Sequence, residues 1–435
     1  MKLKKWTPIL LSGALLSACG GSSSDEGSSG GGNVPEPTGR AIGEFQQVAN
    51  KCEYTEPQTN VTVVVQRGDG SVLSQHQVDA QGKFDIPWGG DAKHLTTVVE
   101  TDGHYSIDTL MEFTTGDIGI QKNYSQALDT HCNCQDITVD FSDLGAAYPN
   151  HQLWIGYRNQ DTKSPYTYEA CRVAQEDYTP LDIMLRPKDN VNDEAFGALI
   201  KIDPMNTSFA VSADILNEPN NQATRVNYSA GTYGIDHVQS YANSVEGRRH
   251  RSFEPAGNAV YSVPGLNQDS FIQAYRDISF GYVEPGNVDY SAYRRYRIED
   301  PASHYELFTP TNEAELLERL NSTLANAGSS TSYDFSNLDP GYQALTLSIK
   351  SANMVWQVTG ALTGVIPDFK LPRAIEDDLY EQIEEFSLFT FGYNKPGNID
   401  ELRSMWAKES RSHGYLRPAY FDNYVAEVIS INIEY

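Results

Sequence analysis

The sequence predicts a mainly β protein: tandem β-sandwich-like domains with a few short helices, set behind a flexible Gly/Ser tether at the N-terminus. Three observations carry that expectation. Val-rich runs between residues 61 and 99 are punctuated by glycine turns. An alternating Ile429, Ile431, Ile433 pattern closes the chain. Only a few stretches show the three-and-four spacing of an amphipathic helix. With 435 residues there is room for several domains of ordinary size. The 32 Lys+Arg stand against 58 Asp+Glu, a net charge of −26, and so acidic a surface repels phosphate and excludes a nucleic-acid partner. Hydrophobic residues make up 39 % and aromatics 11 %, which excludes a mostly disordered chain and a polytopic helical membrane protein.

In chain order, the first element is an address. Lys2, Lys4 and Lys5 precede the apolar run from Trp6 to Leu16, which is too short to span a bilayer. Leu16-Ser17-Ala18-Cys19 follows, and this string resembles the lipobox of bacterial lipoproteins. The resemblance implies cleavage before Cys19, a diacylglycerol thioether on its sulfur and an acylated amine. Several acyl chains make such an anchor effectively permanent. Gly20 stands where the inner-membrane retention signal would place Asp, so the resemblance implies the outer membrane, with the leaflet left open. Eleven of the thirteen residues from Gly20 to Gly32 are Gly or Ser, the composition of a flexible tether, stiffened at its far end by Pro35 and Pro37.

Beyond the tether, strands are expected at Val61 to Gln66, Val72 to Val78, Phe84 to Trp88 and Leu95 to Val99. The turns between them are Arg67-Gly68-Asp69-Gly70 and Ala80-Gln81-Gly82. This order resembles the small carboxypeptidase-regulatory-like or transthyretin-like β-sandwich modules, which implies a domain that packs, spaces or binds without catalysis of its own. Arg67-Gly68-Asp69 matches an adhesion triplet, but a turn is the reading its context favours.

Four cysteines remain after the lipid cysteine: Cys52, Cys132, Cys134 and Cys171. In an oxidising compartment they form two disulfides. Cys132 and Cys134 lie too close to pair with each other. That leaves Cys52–Cys132 with Cys134–Cys171, or Cys52–Cys134 with Cys132–Cys171. No metal site is expected, because the spacing is not that of a zinc motif.

A repeat appears further on. Phe280-Gly281-Tyr282-Val283-Glu284-Pro285-Gly286-Asn287 recurs 111 residues later as Phe391-Gly392-Tyr393-Asn394-Lys395-Pro396-Gly397-Asn398. Each copy is expected to run strand, turn, then a short helix capped by the Asn. Ile399, Leu402, Met405 and Trp406 keep helical spacing in the second copy. Another helix is expected from Thr309-Pro310 through Leu316, Leu317, Leu320 and Leu324, and a third over Glu376 to Glu385. The terminal alternation reads as a closing sandwich strand. The expected segments are therefore 1–18 signal peptide, 19–40 lipid-anchored linker, 41–130 β-sandwich domain, 131–215 second β-domain, 216–310 β-domain with the first repeat copy, and 311–435 helix plus β-domain with the second.

No catalytic residue, metal ligand or cofactor motif emerges: H-E-x-x-H and G-x-S-x-G are absent. Asp189 to Asp193 lacks the third ligand and the glycine of a calcium loop. His304 and His413 occupy matched places, each near a Ser, and read as structural. Arg248, Arg249 and Arg251 form a possible anion-binding cluster, and Arg294, Arg295 and Arg297 form a second basic group. The expected function is non-enzymatic: a lipid-anchored envelope protein, held in the membrane through Cys19, that binds or organises a glycan or a protein partner. The alternatives are a hydrolase of envelope or environmental polymers with carboxylate catalysis, and a structural spacer.

Overall fold

In the computed structural model, residues 39–433 are described apart from 102, 157, 189–193, 232–233, 245–246, 254–256, 284–285, 327, 329, 372–382, 394–397 and 413–418. The chain is mainly β with several sheets and short helices. Its organising element is a sheet of twelve strands. From one edge to the other the order is Gly247–Phe253, His237–Ser244, Asn267–Val283, Gly286–Arg297, Tyr424–Ile433, Ile383–Gly392, Ala344–Ser351, Met354–Gly360, His104–Leu110, His94–Thr101, Val61–Gln66 and Val72–Gln77. Sequence-adjacent strands pair as antiparallel hairpins, whose short turns close at little entropic cost. The seam between the two halves is the parallel pair Met354–Gly360 and His104–Leu110. The sheet thus draws strands from three of the expected segments, 41–130, 216–310 and 311–435.

Strict alternation sorts the side chains of this sheet onto two faces. On one face Tyr290, Leu345, Leu347, Leu388, Ile429 and Ile431 pack under Leu316 and Leu320 of the helix Glu313–Ala325. On the other face, Val61, Val63, Val65 and Leu95 meet Phe45, Phe84, Ile86 and Trp88 of a smaller sheet. That smaller sheet is Gly39–Ala49 with Thr55–Pro57, Lys83–Trp88 and, in parallel, Gly116–Ser125. Also on this second face, the helix Ile399–Arg411 lays Ile399, Leu402 and Trp406 over Ala344, Phe391 and Ala426.

The 131–215 segment builds its own two sheets around Ile137, Phe141, Leu153, Ile183 and Ala198. The disulfides are Cys52–Cys132, 80 residues apart, and Cys134–Cys171, 37 apart, so the first of the two expected pairings is the one formed. Cys134 and Cys171 face each other directly on the paired strands Cys132–Asp140 and Tyr166–Val173. Cys52 ties the 41–130 segment to them.

Several expectations change at the level of single elements. The sequence repeat is not a structural repeat. In the second copy Asn398 caps the helix, its Oδ1 accepting from Glu401 N at 3.0 Å, and the helix buries Phe391 and Tyr393 to 4 % and 8 % exposure. In the first copy the chain turns straight back as the strand Gly286–Arg297, with Asn287 opposite Tyr282. Phe280 and Tyr282 there stay 38 % and 59 % exposed. The terminal strand does not close a sandwich: it sits mid-sheet between Gly286–Arg297 and Ile383–Gly392. The helix expected from Thr309 starts at Glu313, because Asn312 gives both its backbone N and its Nδ2 to Glu427. Of the acidic stretch Glu376 to Glu385, residues 376–382 lie outside the described residues and Ile383 to Glu385 open a strand. Arg67 to Gly70 is a turn, with Asp69 accepting from Ser71 N and Gly70 at φ +84°.

Candidate functional site

Where the long sheet runs beneath the helix Ile399–Arg411 and the strand Gly116–Ser125, a cleft of about 690 Å³ opens. Its floor is legible from the register. Phe389 lies opposite Thr346, Thr346 opposite Thr359, and Thr359 opposite Leu110. One step along, Gln357 lies opposite Asp108, and Asp108 opposite Thr97. The floor therefore passes from aromatic rings, over hydroxyls and an amide, to a carboxyl three strands away. That is roughly 14 Å at about 4.8 Å per strand. Asn243 and Thr97 both line the cleft although their strands are second and tenth in the sheet. A flat sheet would hold those strands about 38 Å apart, so this one curls around the cavity.

The walls are firmly attached. Gly119, at φ +83°, lets the strand meet the helix; a Cβ there would come within 2.8 Å of the Ala407 Cα. Beside it Ile120 N donates to Ser410 Oγ at 2.8 Å, and Arg411 Nη2 donates to Asp117 Oδ1 at 2.9 Å. Arg403 bolts the helix to the floor: its Nη2 donates to the carbonyls of Met111 at 2.8 Å and Thr359 at 3.2 Å, and its Nη1 donates to Asp400 at 3.4 Å. Burial pushes the Arg403 pKa down, with Asp400 opposing the shift.

The aromatic end of the cleft holds Phe389, Phe391, Tyr393, Trp406 and Tyr424. Phe389 and Phe391 stack at 4.8 Å, and Phe391 stacks on Trp406 at 5.8 Å. The row continues across the sheet through Tyr293, Tyr275 and His237. Stacked and tilted rings on neighbouring strands stiffen the sheet through cross-strand pairs. Trp406 ends the row from the helix side, inside the cleft.

At the other end, Asp108 keeps some exposed surface but sits deep in protein, and burial raises its pKa to about 6. Among the described residues its carboxyl receives no hydrogen bond and joins no ion pair. A desolvated carboxyl with no protein donor, facing a cavity, is a group prepared for something that enters.

The residues singled out from sequence fall elsewhere. Cys19 lies outside the described residues, as do Asp189 to Asp193 and His413. Arg248, Arg249 and Arg251 belong to the edge strand Gly247–Phe253, and their side chains lie outside the described residues. The second basic group lies on the strand Gly286–Arg297. It is held by protein: Arg294 pairs with Asp339, Arg297 donates to Asp269 at 2.6 Å and Asp422 at 2.8 Å, and Arg295 lies over Phe271. His304 Nε2 bonds to Ser229 Oγ at 2.9 Å, far in sequence from the Ser beside it. Cys134, Cys171 and Glu169 come close enough to hold a metal, but the two sulfurs are joined to each other and offer no thiolate. Asp108 was not singled out. In His104–Leu110 the alternation Ser106, Asp108, Leu110 reads as a solvated strand face, and only the overlying Gly116–Ser125 strand makes it part of a cleft floor.

Comparison with known proteins adds little. No protein-family model and no curated protein matches the chain. A solved structure titled "The Bacillus anthracis TIE protein" is 10 % identical over 62 % of this chain and 50 % of that one, with a TM-score of 0.15, which carries no structural argument.

Proposed function

We propose that this chain is a lipid-anchored protein of the outer membrane whose globular body binds a glycan in the cleft, without chemistry of its own. The observation that carries the reading is the floor. Aromatic rings at one end, Thr346, Thr359 and Gln357 between, and a free carboxyl about 14 Å away at the other suit an elongated ligand with C–H faces and hydroxyl rims. Three sugar units would span it. The lipobox resemblance at Leu16-Ser17-Ala18-Cys19 supports the anchoring, and the Gly/Ser tether would let the body stand off the bilayer.

The hydrolase alternative draws on Asp108 and Glu409, which line the same cavity. Release of shorter sugars from a bound oligosaccharide would favour it.

Titration of the full chain, purified in detergent, with oligosaccharides of three to six sugars tests the binding. At least one should bind, and Trp406→Ala should weaken it roughly tenfold by removing the end ring. A panel in which nothing binds, or binding indifferent to Trp406, overturns the reading. For the anchor, Cys19→Ser should move the protein from the membrane to the soluble fraction and abolish palmitate labelling. A variant that stays with membranes would show that the sulfur does not hold the chain there.

A further inference from the structure

We infer that the glycan unit held at the Asp108 end carries a free amino group, so that the cleft selects a deacetylated amino sugar over its acetylated or neutral counterparts. The inference rests on the glycan reading above and adds the charge class of the ligand.

The argument is one of missing counter-charge. A carboxylate taken out of water needs a cation or several donors to offset its desolvation. Asp108 has neither among the described residues. Its paired neighbours, Thr97 and Gln357, make no hydrogen bond to it, and Leu110 beside it on the strand is apolar. Among the described residues that line the cleft, two are cations, Arg403 and Lys122, and each already has contacts within the protein. Arg403 is spent on the carbonyls of Met111 and Thr359 and on Asp400. Lys122, on the strand above, has a contact of its own. Among the described residues, the remaining titratable groups that line the cleft are Glu409, Tyr393 and Tyr424, none of which can supply positive charge. A hydroxyl could donate one hydrogen bond to Asp108 and leave the charge uncompensated. An ammonium supplies both the bond and the charge.

The whole molecule favours the same ligand, since a net charge of −26 draws cations toward it and slows the approach of acidic sugars. The aromatic end does not compete for the ammonium: at about 14 Å it contacts a different unit of the same chain. An amino-bearing oligomer can therefore satisfy both ends at once.

Isothermal titration of the full chain in detergent with two probes tests this: a tetramer of β-1,4-linked glucosamine and the tetramer of N-acetylglucosamine. At pH 6.5 and low salt the glucosamine tetramer should bind at least roughly tenfold more tightly, the scale of a charge-assisted hydrogen bond. Asp108→Asn should erase that preference while changing affinity for the acetylated tetramer less than about twofold, with circular dichroism confirming the fold. Affinity for the amine should also climb as pH rises through about 6 and Asp108 ionises. Equal binding of the two tetramers, or a preference that survives in Asp108→Asn, overturns the amino-sugar inference and leaves the glycan reading standing. Tetralysine binding that depends on Asp108, without binding of the glucosamine tetramer, overturns it in favour of a basic peptide. If no saccharide binds at all, the glycan reading itself has failed and this inference falls with it.

Discussion

Asp108→Asn should make the protein more stable at pH 8 and leave its stability unchanged at pH 3. The sign follows from linkage. In the folded chain the Asp108 carboxyl titrates near 6, raised from an ordinary value of 3.8 by burial. Below 3.8 the group is protonated in both states and costs nothing. Between 3.8 and 6 the unfolded chain gives up its proton while the folded chain keeps it, so stability falls as pH rises. Above 6 the penalty is constant, at about 2–3 kcal/mol for a shift of this size. Asn removes the charge, and with it the pH-dependent part, but brings an amide that also lacks a partner, so the lower end of that range is the expected gain. Urea denaturation at pH 3, 5 and 8 measures it: the curves of the two proteins should coincide at the lowest pH and separate at the highest. A variant less stable than the parent at pH 8 would mean that Asp108 has a counter-ion in solution. A group that destabilises the empty protein and faces a cavity is what a binding site looks like in a stability measurement.

The fold class could be read from sequence because its signals are local. Val61 to Val65 and the turn at Asp69-Gly70 specify a hairpin through side-chain shape and backbone freedom alone, and Asn398 caps its helix with an oxygen three residues from the amide it accepts. The disulfide partners could be narrowed to two pairings but not chosen, since the choice lies in which strand faces Cys134. The cleft was not legible, for a physical reason. Asp108 precedes Thr359 and Phe389 by more than two hundred residues and meets them only because a parallel pairing joins His104–Leu110 to Met354–Gly360. Nothing in either strand marks it for the other. The repeat misled for the complementary reason: Phe-Gly-Tyr followed by Pro-Gly-Asn is compatible with a hairpin or a strand-to-helix turn. The covering aromatics Tyr420 and Phe421, supplied by the segment after the helix, accompany it only in the second copy.

Glu427→Ala should be the most damaging single substitution in the long sheet, with a loss of roughly 4–6 kcal/mol from stranded donors and a cavity. Glu427 is fully buried on the strand Tyr424–Ile433 and faces away from the cleft. Its carboxyl accepts from Tyr290 Oη at 2.5 Å, from Tyr342 Oη, and from Asn312 N at 3.1 Å and Asn312 Nδ2 at 3.0 Å. One residue thus binds the neighbouring strand, the loop after Asp339 and the start of the helix Glu313–Ala325. The two phenols it satisfies are buried and Asn312 is half-buried, so truncation leaves at least the phenols unpaired away from water. Glu427→Gln should cost less, because its oxygen still accepts while its amide meets a donor. Burial, reinforced by the Glu427 charge, raises the pKa of Tyr290 and Tyr342 far above the ordinary 10.0. The stability these phenols contribute is therefore complete below pH 10 and declines above it, as tyrosines of the unfolded chain ionise first. Tyr290→Phe and Tyr342→Phe should each cost about 1.5–3 kcal/mol at pH 8 and flatten the alkaline fall in stability. Combined with Glu427→Gln, their losses should be far from additive. Additive losses would mean that the carboxylate and the phenols do not act as one network, and the face beneath the cleft would then owe its rigidity to packing alone.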